Sequence, residues 1–245
     1  MILGLIGIGA VVAACIAAHW AAWKHPRVLQ NLVGHIHAWM RFLFFRHLAP
    51  RAQFSKDDIS PFFWPNGMMP ASKEWLELAA NDWRDYRLEV YGLVENPVDL
   101  SLDELKALGK QQQITLHHCI QGWSGIAEWG GAPLAKLVGL VKPKPEAKVC
   151  VFHSFGEGLY GGAYYDTQRL ENVLNRQSLL AYEMNYEPLP KLHGAPLRLR
   201  VENQLGYKMV KWIKGIEFVA TEEQVGVGHG GKNEDEEYFD LMPDI

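Results

Sequence analysis

The chain has 245 residues, 48% of them apolar, with a formal net charge of -4. That length and apolar share suit one sizeable packed domain, and the mild acidity with mixed signs excludes the basic field a nucleic-acid partner requires. Cys15, Cys119 and Cys150 lie far apart and form no CxxC pair, so neither a disulfide framework nor a thiol-rich zinc site is suggested, and a functional cysteine is expected to act alone.

From Ile2 to Trp23 no residue is charged. At ~1.5 Å per residue such a run crosses a hydrocarbon core of ~30 Å, which predicts a transmembrane helix over residues 1–23. Ala10, Ala14 and Ala18 line one side of it with small residues. Nothing basic precedes the segment and it holds no twin-arginine pair, so retention as an anchor is expected over cleavage. Lys24, Arg27, Arg41, Arg46 and Arg51 follow it, and basic flanks mark the cytoplasmic side. The catalytic domain is therefore expected to face the cytoplasm. Residues 24–55 read as a basic amphipathic linker helix, with Leu32, Ile36, Met40 and Leu43 at helical spacing.

A folded domain is expected over 56–222. Pro61, Pro65 and Pro70 make its entry an irregular loop. Tyr86 to Gly92 alternates as a strand, and Ser101 with Glu104 forms a capping box for a short helix ending at Gly109. Ile114, Leu116 and Cys119 lie on a second strand or its exit. A helix from Pro133 carries Leu134, Leu137, Val138 and Val141, and Val149 to Phe152 returns as a buried strand. Thr167 is placed to cap another helix through Val173. Leu179 to Met184, Leu197 to Val201 and Lys211 to Val219 complete the strands. No βαβ rhythm emerges, so the fold class is α+β. The acidic run Glu234 to Glu237 reads as part of a solvated tail over 223–245.

Cys119 follows His117 and His118 and precedes Ile120-Gln121-Gly122-Trp123. A lone cysteine is usually a small buried hydrophobe. Strand geometry allows His117 and Cys119 to share a face but turns His118 away. A zinc or iron hydrolase built on His117, Cys119 and His153 is one competing reading; a membrane-tethered binding module is another.

The order Cys119, Trp129-Gly130-Gly131, Tyr164, Leu180-Ala181-Tyr182-Glu183-Met184-Asn185, Pro188-Leu189-Pro190, His193-Gly194-Ala195-Pro196-Leu197-Arg198 and Lys211-Trp212 resembles the sulfite oxidase superfamily. The resemblance implies a sulfite oxidase-like molybdopterin-binding domain, with Cys119 as the thiolate ligand of molybdenum in a molybdenum-molybdopterin cofactor. It implies that His193 and Arg198 contact the pterin or its phosphate and that Ser154 hydrogen-bonds nearby. Lys211, with the backbone of Met209 and Val210, would grip the phosphate. Ser60, Phe63 and Trp64 fall where the family's loop wraps the cofactor, and Tyr164 stands at the active-site tyrosine, with Tyr165 one residue away.

The chain departs from that pattern at Phe62-Phe63-Trp64-Pro65-Asn66-Gly67, where sulfite oxidases carry Phe-Phe-x-Arg-Asn-His. Gly122-Trp123-Ser124-Gly125 likewise replaces Gly-Asn-Arg-Arg. A dianion pocket needs cationic groups, so a neutral sulfoxide or N-oxide is expected over sulfite unless Arg200, Lys208 or the loop near Glu157 restores charge. In this the chain is similar to bacterial protein-methionine-sulfoxide reductase catalytic subunits. No haem-binding or carboxyl-terminal dimerisation domain is expected, and electrons are expected to pass through a separate membrane cytochrome or quinone-linked protein.

Overall fold

The computed structural model describes residues 2–25, 32–36, 39–40, 43–44 and 53–236, with side chains in the first stretch described at 9, 11–20 and 23–25. The chain divides into two compact units: residues 1–52 with 240–242, and residues 53–239 with 243–245. In the first unit a helix runs over Ile2–Lys24. Among the described residues no helix is long and apolar enough to cross a membrane. The amphipathic linker expected over 24–55 lies largely outside the described residues, as does the chain from 237 onward.

Among the described residues the second unit holds ten strands in two sheets. Arg87–Gly92 (β1), Val98–Ser101 (β2), Val149–Glu157 (β5), Ala163–Arg169 (β6) and Ile213–Val219 (β10) form a sheet in the order β2-β1-β10-β5-β6, in which β1 and β10 run parallel. Gln111–His118 (β3), Ser124–Pro133 (β4), Leu179–Met184 (β7) and Glu187–Pro188 (β8) form the second sheet, and Arg198–Arg200 (β9) pairs with the free side of β7. Helices are short. Ser101 caps Leu102–Ala107 with the expected box, and Leu134–Val141 buries Leu134, Leu137, Val138 and Val141.

The second sheet is covered on both faces, which explains its unbroken apolar run. Leu180, Tyr182 and Leu199 join the large core that also holds Leu88, Phe152 and Phe218. Their alternate neighbours Leu179 and Ala181 turn the other way, into a smaller cluster with Phe63, Ala127, Trp129, Met184 and Ala195. The candidate site stands on that second face.

Two expectations are corrected. Thr167 caps no helix: it lies in β6 and donates to the carbonyl of Gly230, while the helix Leu170–Val173 begins after Arg169. The acidic stretch is no solvated tail over its described part. Glu222–Gln224 forms a 3-10 turn, and Lys232–Asp235 forms a helical turn with Asn233 and Glu234 buried. Lys208 provides the reason, because its ammonium is buried and needs carboxylates.

Candidate functional site

Four strands bring the site together. On β3, Gln113, Thr115 and His117 occupy one face by the two-residue period, and Cys119 follows just past the strand end. A tight turn fixes it: the amide of Gly122 donates to the carbonyl of Cys119, whose own amide donates to Trp123. Cys119 is 8% exposed, and Asn66 brings its Nδ2 to 3.8 Å from Sγ. Asn66 escaped the sequence reading, which weighed only the charged positions beside it.

His117 is not poised as a metal ligand. Its Nδ1 accepts from Nη1 of Arg200 at 3.0 Å, and its Cε1 and Nε2 lie 2.4 Å from where a Cβ on Gly206 would stand. Burial, then the nearby Arg200, lowers its pKa to about 2, so the ring is neutral with its proton on Nε2. His118 hydrogen-bonds Ser124, and His153 pairs with Glu217 on the other sheet. Among the described residues no group of three or more His, Cys, Asp and Glu is arranged to hold a metal ion, which removes the geometric basis of the hydrolase reading.

Arg198 and Arg200, on one face of β9, both lie over the ring of Trp129 with guanidinium carbons 4.7 and 4.3 Å from its centroid. Ala181, between them and Trp129 in the sheet order, is small enough to let the indole lie across β7. Arg200 is neutralised by a bidentate pair to Glu202 at 2.9 and 2.6 Å. Arg198 is not: it donates Nη1 to the carbonyl of His193, and its buried Nε has no partner. Glu202, the carboxylate whose charge acts on it, is taken by Arg200. Burial first, and Arg200 second, push the Arg198 pKa well below its usual value.

His193 and Lys211 complete a positive cluster. Gly194, at φ +120°, holds a backbone conformation that disfavours a side chain, and a Cβ there would crowd Arg198 Cβ at 3.0 Å and Lys211 Cβ at 3.1 Å. Lys211 donates to the carbonyls of Asn66 and Leu192 and lies 4.0 Å from the centroid of the Trp212 ring. Its pKa is lowered to about 7 by burial and by Arg198, and that of His193 to about 4 by burial, then Arg198 and Lys211. Burial acts first on each of these groups and Arg198 second on Lys211 and His193, an arrangement chemically suited to receiving an anion.

The remaining candidates divide. Phe63 sits at the centre of the cluster, 5.4 to 5.8 Å from the rings of His117, Trp123, Trp129 and His193. Ser60 docks its loop by accepting from the amide of Ile126, and Trp64 is exposed. The hydroxyl of Ser154 donates to the carbonyl of Lys211 at 2.7 Å and accepts from Gly156, so it holds the Lys211 backbone instead of facing a ligand. Met209 and Val210 are buried, with the Met209 amide closing on Gly206 and the Val210 carbonyl accepting from Leu199. Tyr164 is likewise turned into protein: its hydroxyl donates to the carbonyl of Tyr207 at 3.0 Å and accepts from Asn233. Burial and then Asp166 raise its pKa well above the usual value.

A buried thiol, an arginine without a carboxylate and a lysine are chemically suited to an anionic, metal-bearing organic cofactor. The chain matches the oxidoreductase molybdopterin binding domain over residues 75–226. It belongs to that family, within the sulfite oxidase superfamily. It is 34% identical over 140 residues to a protein of Azospira oryzae named as protein-methionine-sulfoxide reductase subunit YedZ1, covering 57% of this chain and 51% of that one. The protein-methionine-sulfoxide reductase catalytic subunit MsrP of Xanthomonas axonopodis is 32% identical over 144 residues, covering 55% and 45%. The solved sulfane dehydrogenase SoxCD of Paracoccus pantotrophus superposes with a TM-score of 0.50 at 26% identity, covering 56% of this chain and 39% of that one. The chain spans about half the length of the two curated relatives described.

Proposed function

We propose that the chain is the catalytic part of a molybdenum enzyme that reduces a neutral sulfoxide or N-oxide by two-electron oxygen-atom transfer. Methionine sulfoxide is the first substrate to test, given the names of its relatives. Cys119 would hold the metal, and Arg198, Lys211 and His193 the pterin phosphate. When bound, the molybdenum cofactor supplies the redox chemistry. The protein orients it, excludes water behind Phe63, and keeps cationic groups from the substrate side. The observation that carries this reading is the unpaired Arg198 Nε beside Lys211, in one cluster with the Cys119 turn.

A neutral substrate is favoured because the charges able to rebuild an anion pocket are spent elsewhere. Arg200 is bound to Glu202, and Lys208 to Asp166 and Glu234. Pro65 and Gly67 supply no side-chain donor, and Phe62, Trp64 and Met68 give that loop an apolar exposed surface. The likeness to a sulfane dehydrogenase supports a second reading, oxidation of a sulfur anion. Steady-state rates on molybdenum-replete protein separate the two, using methionine sulfoxide with a reduced dye and sulfite with an artificial acceptor. Sulfoxide turnover exceeding sulfite turnover by orders of magnitude is expected; sulfite turnover alone overturns the reading.

The proposal extends to an anchor: the uncharged run Ile2 to Trp23 would hold the enzyme at a membrane, with the domain on the cytoplasmic side and a separate membrane protein exchanging electrons with it. A periplasm-active reporter fused after Ile245 should stay inactive, and a strong signal reverses the orientation.

A further inference from the structure

The family match ends at residue 226, yet the ten residues beyond it are tied into the domain next to the site. Gly231 forms a β-bridge with Asp166, pairing with the outer edge of β6. The Asp235 carboxylate accepts from the amides of Val227 and His229 at 2.9 Å each and from the hydroxyl of Tyr165. These bonds fold residues 227–235 into a compact cap.

Two side chains of the cap reach further. Glu234 Oε1 accepts from Lys208 Nζ at 2.9 Å, and the same ammonium pairs with the buried Asp166 and donates to the carbonyl of Gly230. Asn233 Nδ2 donates to the Tyr164 hydroxyl, which in turn donates to the Tyr207 carbonyl. Both contacts land on one 3-10 turn, Gly206–Lys208. That turn runs directly into Met209, Val210 and Lys211. At its other end Gly206 lies against the ring of His117, two residues from Cys119, with no room for a methyl between.

We propose that residues 227–236 are a clamp that positions the Gly206–Lys211 segment for cofactor binding, with Asn233 and Glu234 as its positioning residues. A surface tail would leave Lys208 with Asp166 alone, and would leave the Tyr164 hydroxyl with only Asp166 and the Tyr207 carbonyl as partners. With the cap in place, the turn is held from its buried side by an ammonium and from its backbone by a phenol. Its two ends, at His117 and Lys211, are thereby fixed relative to each other. The clamp rests on the proposed roles of Cys119 and Lys211, but its mechanical part does not.

The test uses the full chain with Asn233→Ala, Glu234→Ala and Glu234→Gln, the last keeping the shape and the acceptor toward Lys208. Amide hydrogen exchange of residues 204–211 is read in ligand-free protein, and molybdenum and pterin content in protein purified from cofactor-replete cells, with Cys119→Ser alongside. Glu234→Ala should speed exchange at 204–211 at least tenfold over the rest of the domain and lower molybdenum content severalfold. Asn233→Ala should do the same to a smaller extent, and Glu234→Gln should restore both readouts. Cys119→Ser should lose metal with unchanged exchange, which separates failure of the cofactor reading from failure of the clamp. Folded Glu234→Ala protein with parental exchange at 204–211 overturns the proposal. So does loosening spread evenly over the domain, because that is ordinary destabilisation.

Discussion

Arg198 and Arg200 lie over the same indole, Trp129, and are buried alike, yet only Arg200 has a carboxylate. Opposite consequences follow for the two when either is removed. Arg198→Leu deletes an uncompensated buried charge, so the cofactor-free protein should become more stable, by on the order of 1 kcal/mol or more, while cofactor retention is lost. Arg200→Leu strands Glu202, 7% exposed at its side chain, and should cost about 3–5 kcal/mol. Chemical denaturation of the ligand-free variants checks both signs. Destabilisation by Arg198→Leu would mean that the His193 carbonyl and the Trp129 ring outweigh the cost of burying the charge.

Lys211 predicts a proton linkage. Its folded pKa of about 7 lies below the unfolded value of ~10.4, so between them the unfolded chain holds a proton that the folded chain has released. Stability of the ligand-free protein should therefore rise with pH across that window, and the repulsion with Arg198 is fully present below it. An anion seated beside Lys211 reverses the shift and draws the proton back. Titration with inorganic phosphate near pH 8, repeated in buffers of differing ionisation enthalpy, should show proton uptake. Proton release or no linkage counts against an anion at Lys211.

Much of this was legible in the residues. The Ser101–Glu104 box, the helix from Leu134 and the strand Leu179–Met184 were announced by local chemistry: a cap, a helical stripe, an apolar run. Cys119 and Arg198 were legible only through the order of several motifs, since each alone reads as core or surface. What stayed hidden was pairing. Alternation on β9 shows Arg198 and Arg200 sharing a face, but not that Trp129 and Ala181 bury that face, because those contacts cross two strands. Glu234 read as solvated because nothing local announces a buried lysine 26 residues earlier.

The cysteines separate chemistry from packing. Cys150 is fully buried in the large core, and burial raises its thiol pKa well above the usual range. Cys150→Ser should cost about 1–3 kcal/mol for a buried hydroxyl and leave molybdenum content unchanged. Cys119→Ser replaces a soft ligand with a hard one and should abolish metal retention with a smaller effect on folding. Metal analysis with thermal unfolding of both variants decides, and equal metal loss in the two would remove the special place of Cys119.

Gly206 offers the sharpest steric test. A methyl there would stand 2.4 Å from Cε1 and Nε2 of His117 and 3.1 Å from the carbonyl oxygen of His118. The ring cannot swing away freely, because Nδ1 is held by Arg200 and the opposite side by Phe63. Gly206→Ala should therefore cost about 1–3 kcal/mol by overpacking and push His117 or the turn away from the Cys119 loop. Loss of metal beyond what the stability change predicts is the expected signature. Removing the obstruction with Gly206→Ala/His117→Ala should recover part of the stability, because the added methyl then meets space in place of a ring. If the double variant is no more stable than the sum of the singles predicts, the contact between Gly206 and His117 is not what limits that position.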